Sequence, residues 1–326
     1  MKGRCLRSAS VLIKFINRFP KITNMGYRDF LAEFASLQGI SGIDHLLEEY
    51  SDRFSFQINS RKRGGEMIDL LEEHIGYTFS GKNVLDIGCA YGSFSIEMAR
   101  KGAQVVGVDV SEKWLMLAEL NAYNEVDIPF IHCDASSRDA YDCLKKFGKF
   151  DFIVLNDVFE HIYDTDGLLY NLSRLLSEDG LIYYKVPNGL NPRNVLNEGH
   201  KKVFGISLLP PDYWQMFVDA PFHIYYRRWG YYRALLDHYN FKSHESLDNN
   251  HDNDIGQTRR HIVNDLKNIK DKLVVDNFHT PEQYQAMLTA CGYYFNEVER
   301  DLKKLAWDSL HHKYRVTFWK GLISRG

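Results

Sequence analysis

Small and acidic residues are concentrated where the first apolar segment of this chain ends. Residues 84–87 contain Asp86 and are followed by Gly88, Ala90 and Gly92, before a helical pattern begins at Ser93. Small side chains let backbone N–H groups approach a ligand closely, and a helix N-terminus favours negative charge. This order of strand, turn and helix predicts a crevice of nucleotide size at the carboxyl end of the strand. The alternative is the plain strand-to-helix turn of any α/β domain.

Acidic or amide side chains also follow the next apolar segments. Residues 104–110 include Asp109, which lies about 20 residues beyond the turn and is placed to accept hydrogen bonds from two ribose hydroxyls. Two further segments end at Asp134 and at Asn156 followed by Asp157. This repetition is typical of ligand chemistry at the carboxyl edge of a parallel sheet.

His161 is the best candidate for a general base. It lies just beyond the fourth apolar segment, in Asn156-Asp-Val-Phe-Glu-His161. A base at this position would remove the proton of a substrate hydroxyl and so make its oxygen a better nucleophile, because a neutral hydroxyl is a poor one. Alternatively, His161 caps or packs the helix that follows. Four aromatic residues lie further along the chain: Trp214, Tyr225, Tyr226 and Trp229. We expect them either to form a wall for a sugar or ring-shaped substrate or to be part of the core.

Strand and helix patterns alternate regularly from residue 82 to residue 187, which predicts five strands with four helices between them. A turn is expected at Glu178-Asp179-Gly180, and residues 241–246 and 314–319 are the expected sixth and seventh strands. The predicted fold class is therefore α/β, with a seven-stranded Rossmann-like sheet that is mostly parallel and has an antiparallel last strand. Further helices are predicted at residues 66–75, 93–100, 228–239, 260–273, 281–291 or beyond, and 295–310, with Ser111 as an N-cap.

The same pattern predicts three parts of the chain. Residues 1–60 form a basic, helical N-terminal extension, residues 61–247 with 313–326 form the cofactor-binding domain, and residues 248–312 form a helical insertion. Residues 188–222 are rich in proline and lack periodicity, as is typical of a lid or binding loop. The polar run at 248–254 is expected to be a solvated loop.

Four motifs, in this order, resemble those of class I S-adenosylmethionine-dependent methyltransferases. They are Asp86-x-Gly-x-Ala-x-Gly, Val108-Asp109, Cys133-Asp134-Ala135 and Asp151-x-Ile-Val-x-Asn-Asp-x-Phe-Glu-His. Over about residues 62–190 the chain is similar to the small-molecule branch that includes the ubiquinone-biosynthesis O-methyltransferases. The similarity resumes weakly at residues 223–241.

The resemblance implies that S-adenosyl-L-methionine is the cofactor and that it binds to a seven-stranded methyltransferase sheet. The positions that would contact the cofactor are Asp86, Gly88, Ala90, Gly92, Asp109, Val110, Asp134, Ala135 and Asn156. Family alignment places Asp86 and Asn156 at the methionine end, and Asp134 with Ala135 at the adenine amino group. It also makes His223 a second base or a substrate ligand, the alternative being a surface or packing histidine.

A divalent metal is the less favoured part of this resemblance. The related Glu-x-x-Glu-His segment resembles a metal site, and Glu160 and His161 match its second half, but Asp157 replaces the first glutamate. The shorter carboxylate would still bind a hard cation. We therefore expect no metal, with a divalent cation as the open alternative.

Other functions fit less well. A nicotinamide dehydrogenase would carry G-x-G-x-x-G, and base-amino methylation typically uses an Asn/Asp-Pro-Pro-aromatic turn where this chain has Asn156-Asp-Val-Phe159. A net charge of −3 gives no global basic field, so no nucleic-acid partner is expected. A non-catalytic cofactor-binding scaffold stays open. The favoured function is methyl transfer to a small-molecule oxygen, on a glycan, lipid-linked or secondary-metabolite acceptor.

Composition points to the cytoplasm. The five cysteines lack paired spacing, which favours a reducing compartment over a disulfide framework or zinc site. Residues 1–28 carry seven Lys or Arg and no acid, and their apolar residues recur at helical spacing. This basic amphipathic helix would dock on the domain, contact an anionic membrane surface peripherally, or serve as a transit peptide.

Overall fold

Seven strands form one mixed sheet in the computed structural model, which describes residues 26–244 and 255–326. The strands are β1 (Asn83–Ile87), β2 (Gln104–Asp109), β3 (Phe130–His132), β4 (Phe150–Asn156), β5 (Leu176–Pro187), β6 (Phe241–His244) and β7 (Phe318–Arg325). Their spatial order is β3-β2-β1-β4-β5-β7-β6. The predicted Rossmann-like α/β sheet of seven strands is confirmed.

The first four strands pair in parallel around β1. Leu85 lies opposite Val106 of β2 and opposite Ile153 of β4, and Val108 of β2 lies opposite Ile131 of β3. Parallel neighbours bring their carboxyl ends to one edge of the sheet. Asp109 and the turn after Ile87 therefore lie at the same edge.

Helices surround and connect these strands. Before β1 the helices are α1 (Tyr27–Leu37), α2 (Ile43–Glu49), α3 (Ser55–Ile58) and α4 (Ser60–Ile75). Between β1 and β5 they are α5 (Ser93–Arg100), α6 (Glu112–Ala122), α7 (Ala140–Leu144) and α8 (Thr165–Leu175). Later helices are α9 (Pro192–Leu196), α10 (Trp229–His238), α11 (Ile255–Lys272), α12 (Pro281–Lys304) and α13 (Trp307–Tyr314). Ser111 caps α6 by accepting a hydrogen bond from the backbone N–H of Trp114 at 3.4 Å, as predicted.

Three local predictions are wrong. Residues 178–180 belong to β5 rather than to a turn, and the nearby carbonyls of Ser173, Leu176 and Ser177 accept hydrogen bonds from Arg325. The last strand begins at Phe318 rather than at Tyr314, because Tyr314 is the buried last residue of α13. The separate helix expected to begin at Phe295 is instead part of α12, which continues to Lys304 since its buried face persists to Val298 and Asp301.

The described chain forms two compact units. The first unit holds residues 26–155 and 166–182 with Arg325, and the second holds residues 156–165 and 183–324, apart from the undescribed segment, with Gly326. Strand β5 begins in the first unit and continues in the second. The division into extension, domain and insertion stays a prediction.

Each unit has its own apolar core beside the sheet. In the first unit, Phe30 and Phe34 of α1 pack with Tyr91 of the turn and with Leu117 of α6. In the second unit, the helices between β6 and β7 pack on the proline-rich segment, as Met287 and Cys291 share a cluster with Ile206. Each Å² of apolar surface removed from water contributes about 25 cal/mol of free energy, and this burial stabilises the packing in both cores.

Some predictions fall on residues 1–25 and 245–254. Most of the basic amphipathic stretch, and the polar loop at 248–254, lie outside the described residues. Among the helices of residues 26–244 and 255–326, none combines the length and apolar character needed to cross a bilayer.

Candidate functional site

The turn after β1 is a run of left-handed backbone conformations. Gly88, Ala90 and Gly92 have φ values of 66°, 47° and 72°. A Cβ atom at Gly92 would lie 2.7 Å from Cζ of Phe130, so only glycine fits there. Because left-handed conformations alternate with ordinary ones, the turn folds tightly, and the Gly92 N–H donates to the Cys89 carbonyl at 2.8 Å. The small residues identified in the sequence are thus needed for this backbone path.

Asp109 joins the turn to the following helix. Its Oδ2 accepts a hydrogen bond from the backbone N–H of Ala90 at 3.0 Å, and its Oδ1 accepts one from Ser111 at 2.8 Å. The side chain is 9% exposed. Since a carboxylate offers about four lone-pair sites, each oxygen retains acceptor capacity after these two bonds. The structure therefore brings the predicted ribose ligand directly against the predicted turn.

Asp86 is more enclosed than a ligand-facing carboxylate. It is 3% exposed, and its Oδ2 accepts a hydrogen bond from the hydroxyl of Ser95 in α5 at 2.5 Å. Burial raises the pKa of Asp86 to about 7, against the lowering effect of the Ser95 hydrogen bonds. In this position Asp86 ties β1 to α5, and its predicted contact with the methionine end stays a prediction.

The expected adenine end lies after β3. Asp134 is exposed, and its Oδ1 accepts hydrogen bonds from the backbone N–H and the hydroxyl of Ser136 at 2.9 and 2.7 Å. Ala135 is buried, and its carbonyl accepts a hydrogen bond from Asn171 at 3.0 Å. Val110 is 64% exposed beside Asp109. These residues share the carboxyl edge of the sheet with the turn, as predicted from strand order.

Two supporting residues were not identified from the sequence. Arg61 of α4 donates to Oδ1 of Asn121 at 3.0 Å, and the amide of Asn121 donates to the carbonyl of Tyr91 in the turn at 2.7 Å. Arg61 also forms ion pairs with Glu97 and Glu125 at 2.8 and 2.9 Å. The only sequence signal was an arginine in a helix before β1, which does not reveal its partners.

The start of α5 offers a polar atom with no partner among the described residues. Ser93 is 4% exposed, and its buried Oγ has no hydrogen-bond partner there. It directly follows Gly92, at the helix N-terminus that favours a polar or anionic ligand. Together with Asp109, this hydroxyl fits a polar cofactor at the turn.

The second unit contains the residues that follow β4. Asp157 has a left-handed φ of 55°, and its Oδ2 accepts hydrogen bonds from Lys185 at 2.9 Å and from the amide of Asn156 at 3.1 Å. Its Oδ1 is buried without a hydrogen-bond partner in the described chain. Asn156 is therefore oriented by Asp157, and its predicted cofactor contact stays a prediction.

A histidine pair lies just beyond this acidic group. The rings of His161 and His200 are 5.2 Å apart and meet edge to face. Partial burial and the neighbouring His200 lower the pKa of His161, against the raising effects of a backbone hydrogen bond with His223 and of the charges of Asp157 and Glu198. A neutral imidazole is the form that accepts a proton. The two predicted catalytic histidines thus meet through the His161 ring and the His223 backbone.

Glu198 orients His200. Its carboxylate is 0% exposed and accepts hydrogen bonds from Nδ1 of His200 at 2.6 Å and from the hydroxyl of Tyr226. Burial alone would raise its pKa, yet these bonds and backbone N–H groups lower the pKa of Glu198 to about 2. Glu198 is therefore ionised at neutral pH. Glu198 and His200 lie within the predicted lid-like loop and were not identified from the sequence.

The same cluster has a donor set suited to a divalent cation. Glu160, His161 and His200 each offer a ligand atom, and these atoms lie within 4.8 Å of one another. Glu160 is 1% exposed, its Oε2 has no hydrogen-bond partner in the described residues, and burial raises its pKa to about 8. Mixed carboxylate and imidazole ligands suit several divalent metals. These three residues could hold a divalent cation, and our expectation that no metal is used stays a prediction.

A cavity of about 950 Å³ opens in the second unit. Trp214, Tyr225 and Tyr226 line it, but all three also pack in the apolar core of this unit, so the predicted aromatic wall and its alternative, core packing, both stay open. Trp229 is absent from the described lining and stacks on Tyr184 instead, with ring centroids 5.5 Å apart.

Comparison with known proteins supports a common origin for the central region. A family model described as a methyltransferase domain matches residues 60–249. The chain is 34% identical over 109 residues to a ubiquinone biosynthesis O-methyltransferase of Glaesserella parasuis serovar 5 (strain SH0165), covering 33% of this chain and 46% of that protein. It is 29% identical over 160 residues to the protein of the same name from Aromatoleum aromaticum, covering 48% and 64%. The chain thus spans about half the length of the curated relatives it matches.

Solved structures include similar chains at lower identity. The magnesium protoporphyrin IX methyltransferase from Synechocystis PCC 6803 with bound SAH is 20% identical, with a TM-score of 0.41 over 58% of this chain and 76% of that chain. A putative S-adenosylmethionine-dependent methyltransferase from Listeria monocytogenes is 20% identical, with a TM-score of 0.41 over 56% and 86%.

Proposed function

Because the chain belongs to the methyltransferase domain family, we propose that it transfers the methyl group of S-adenosyl-L-methionine to an oxygen of a small-molecule acceptor. One observation carries the proposal: the carboxylate of Asp109 is bonded to the Ala90 N–H of the glycine turn, and each of its oxygens retains capacity for a ribose hydroxyl. The matched relatives bear the name O-methyltransferase, which supports an oxygen acceptor.

The cofactor would lie along the carboxyl edge of β1, β2 and β3. We assign the ribose to Asp109, the close backbone approach to Gly88 and Gly92, and the adenine to the segment of Asp134 and Ala135. Ser93 would contribute its hydroxyl at the start of α5, where the helix N-terminus favours a carboxylate group. The cofactor would supply an electrophilic methyl group on a sulfonium.

His161 would act as the general base. The acceptor oxygen would take this methyl group with one of its lone pairs, and the electron pair of the former carbon–sulfur bond would stay on sulfur. The acceptor proton passes to the imidazole of His161, whose lowered pKa keeps it neutral near pH 7. The rest of the rate enhancement would come from alignment of the two reactants.

His200 would be the group that positions His161. Its ring is held by the ionised Glu198 at 2.6 Å and contacts the edge of His161. We assign His223 a positioning role through its backbone, because the described contact with His161 involves the backbone of His223.

A divalent cation is the second candidate for activating the acceptor. Glu160, His161 and His200 would hold it, and the unpartnered Oε2 of buried Glu160 is the observation that favours it. Such an ion would lower the pKa of an acceptor hydroxyl bound to it, so that the hydroxyl could lose its proton without a strong protein base.

Two measurements test the proposal. Calorimetry with S-adenosylhomocysteine tests cofactor binding, and labelled-methyl transfer to a cell metabolite extract, with and without chelator, tests catalysis. His161→Ala should reduce turnover by about 100-fold or more with little change in cofactor affinity. His279→Ala, which alters an exposed histidine of the same unit, is the matched control.

Each outcome separates the alternatives. Near-normal turnover in His161→Ala removes the base assignment. Loss of activity with chelator, restored by a divalent metal, favours the cation instead. Methylation of nucleic acid in the same extract would support a nucleic-acid methyltransferase, and cofactor binding without any transfer would support a scaffold.

A further inference from the structure

The cavity in the second unit has a lining of unusual composition. Six of its side chains are tyrosines, namely Tyr163, Tyr213, Tyr225, Tyr226, Tyr293 and Tyr294. The chain contains as many phenylalanines as tyrosines, 20 of each, yet no phenylalanine is among the described lining residues. Tyrosine provides an apolar ring face together with a hydroxyl for hydrogen bonding. The lining therefore suits a ligand that has both apolar faces and polar edges.

Three of these rings are open to a ligand. Tyr163 and Tyr293 are each 75% exposed, and Tyr213 is 44% exposed. Exposed aromatic surface gathered around one cavity marks it as a candidate ligand-binding site. By contrast, Tyr294 and Tyr226 are held in the wall, since their hydroxyls donate to Leu190 and Glu198.

Helix α12 contributes one continuous stripe to the cavity. The lining residues on it recur every three to four positions, at Glu282, Gln285, Ala286, Thr289, Ala290, Tyr293 and Tyr294. This spacing places them on one helix face. Glu282 and Gln285 are exposed, and a side-chain amide both donates and accepts hydrogen bonds. Such groups would recognise hydroxyls around a ring.

The two arginines in the lining already donate to protein groups, a carboxylate for Arg228 and neutral carbonyls for Arg227. The guanidinium of Arg227 donates to the carbonyls of Ile162 and Tyr163 at 2.9 and 2.6 Å. Arg228 forms an ion pair with Glu297 at 2.7 Å. Anion sites typically present a free arginine fork or lysine to the phosphate or carboxylate. Neither arginine of the described lining is unengaged, and Glu282 adds a negative charge.

The cavity wall is continuous with the histidine cluster. The backbone N–H of Tyr225 donates to the carbonyl of Glu160 at 2.6 Å, and Tyr226 donates to Glu198, which holds His200. Tyr163 lies two residues after His161. A ligand in the cavity is therefore bound by segments that also position the candidate base.

We propose that this cavity binds the methyl acceptor and that the acceptor is a neutral, hydroxyl-bearing sugar ring, which rests on the proposed function above. The C–H faces of such a ring pack on the exposed tyrosines, while Gln285 and Glu282 bond its hydroxyls. Recognition of the acceptor thus depends on α12, a helix far along the chain from the cofactor motifs.

The test uses the full chain and three panels of acceptors with labelled cofactor. The panels are neutral mono- to tetrasaccharides, the corresponding phosphorylated or uronic sugars, and phenols including catechols. We expect transfer to members of the neutral panel. Transfer confined to anionic sugars or to phenols, or absent from all panels, would overturn the proposal.

Substitutions on α12 test the site itself. Tyr293→Ala should raise the KM for a neutral sugar acceptor by roughly tenfold, and Tyr293→Phe should raise it less because the ring face remains. Leu288→Ala, on the same helix but outside the lining, is the matched control. An unchanged KM in Tyr293→Ala would also overturn the assignment. Binding of S-adenosylhomocysteine should be equal in all variants, and its absence from the wild type would refute the proposed function instead.

Discussion

Replacing Asp109 by alanine should nearly abolish cofactor binding. Each carboxylate oxygen accepts one backbone N–H and retains capacity for one ribose hydroxyl, so the substitution would remove the two hydrogen bonds that we propose between Asp109 and the ribose. Hydrogen bonds to charged groups contribute about 1.5–3 kcal/mol each, so the loss is about 3–6 kcal/mol. The dissociation constant should therefore rise by about 10²- to 10⁴-fold.

The variant Asp109→Asn keeps the shape of the side chain and removes its charge. It retains one acceptor oxygen and replaces the other with an NH2 group, which would face a backbone N–H without bonding to it. It should lose about one of the two ribose bonds, and the dissociation constant should rise by about 10- to 100-fold. Asp127→Asn, which changes an exposed aspartate of the same unit, is the control and should bind normally.

Isothermal titration calorimetry with S-adenosylhomocysteine is the appropriate assay, because it does not require the acceptor. A thermal unfolding curve must accompany it, since the Ala90 N–H loses its acceptor and the variant should be destabilised by about 1–3 kcal/mol. A folded Asp109→Ala protein with the wild-type dissociation constant would refute the ribose assignment and the reasoning from strand-end position.

Two further predictions concern stability. Because burial raises the pKa of Asp86 to about 7, the folded state binds this proton more tightly than the unfolded state, and the free energy of unfolding should fall by up to about 4 kcal/mol as pH rises from about 4 to 7. In Asp86→Asn that pH dependence should shrink, as measured by urea denaturation, and an identical pH profile would contradict the assignment. Gly92→Ala should cost more than Gly76→Ala, by about 1–3 kcal/mol, because both have positive φ but only Gly92 lies against a ring. Equal denaturation midpoints for these two variants would show that the close approach of the Phe130 ring to Gly92 does not affect stability.

Local patterns were sufficient for the central sheet and for the turn. Apolar runs of four and seven residues located β1 and β2 within one residue at either end, and Ser93–Arg100 was predicted at its observed bounds. These features depend on neighbours in the chain. A buried strand needs apolar residues on both faces, and a left-handed turn needs glycine or a small residue.

Boundaries that depend on distant partners were predicted poorly. The strand expected at residues 314–319 begins at Phe318, because the buried face of α13 extends to Tyr314, whose hydroxyl bonds Asp301 of α12 at 2.8 Å. The short alternating pattern indicated a strand, but packing of Tyr314 against a partner helix outweighed it in favour of a helix end. The partner that decides between them is 13 residues away in the chain.

The amino-acid sequence alone was enough to predict the sheet, the tight turn after β1 and the position of Asp109 beside it, because strand order brings successive strand ends to one edge. It did not identify Arg61 beneath the turn, the Glu198–His200 pair beside His161, or the tyrosine-lined cavity. Each of these depends on residues separated by tens of positions, and their meeting depends on how helices pack rather than on any local pattern. The candidate acceptor site is therefore a property of the tertiary structure, whereas the candidate cofactor site is already apparent in the order of the strands.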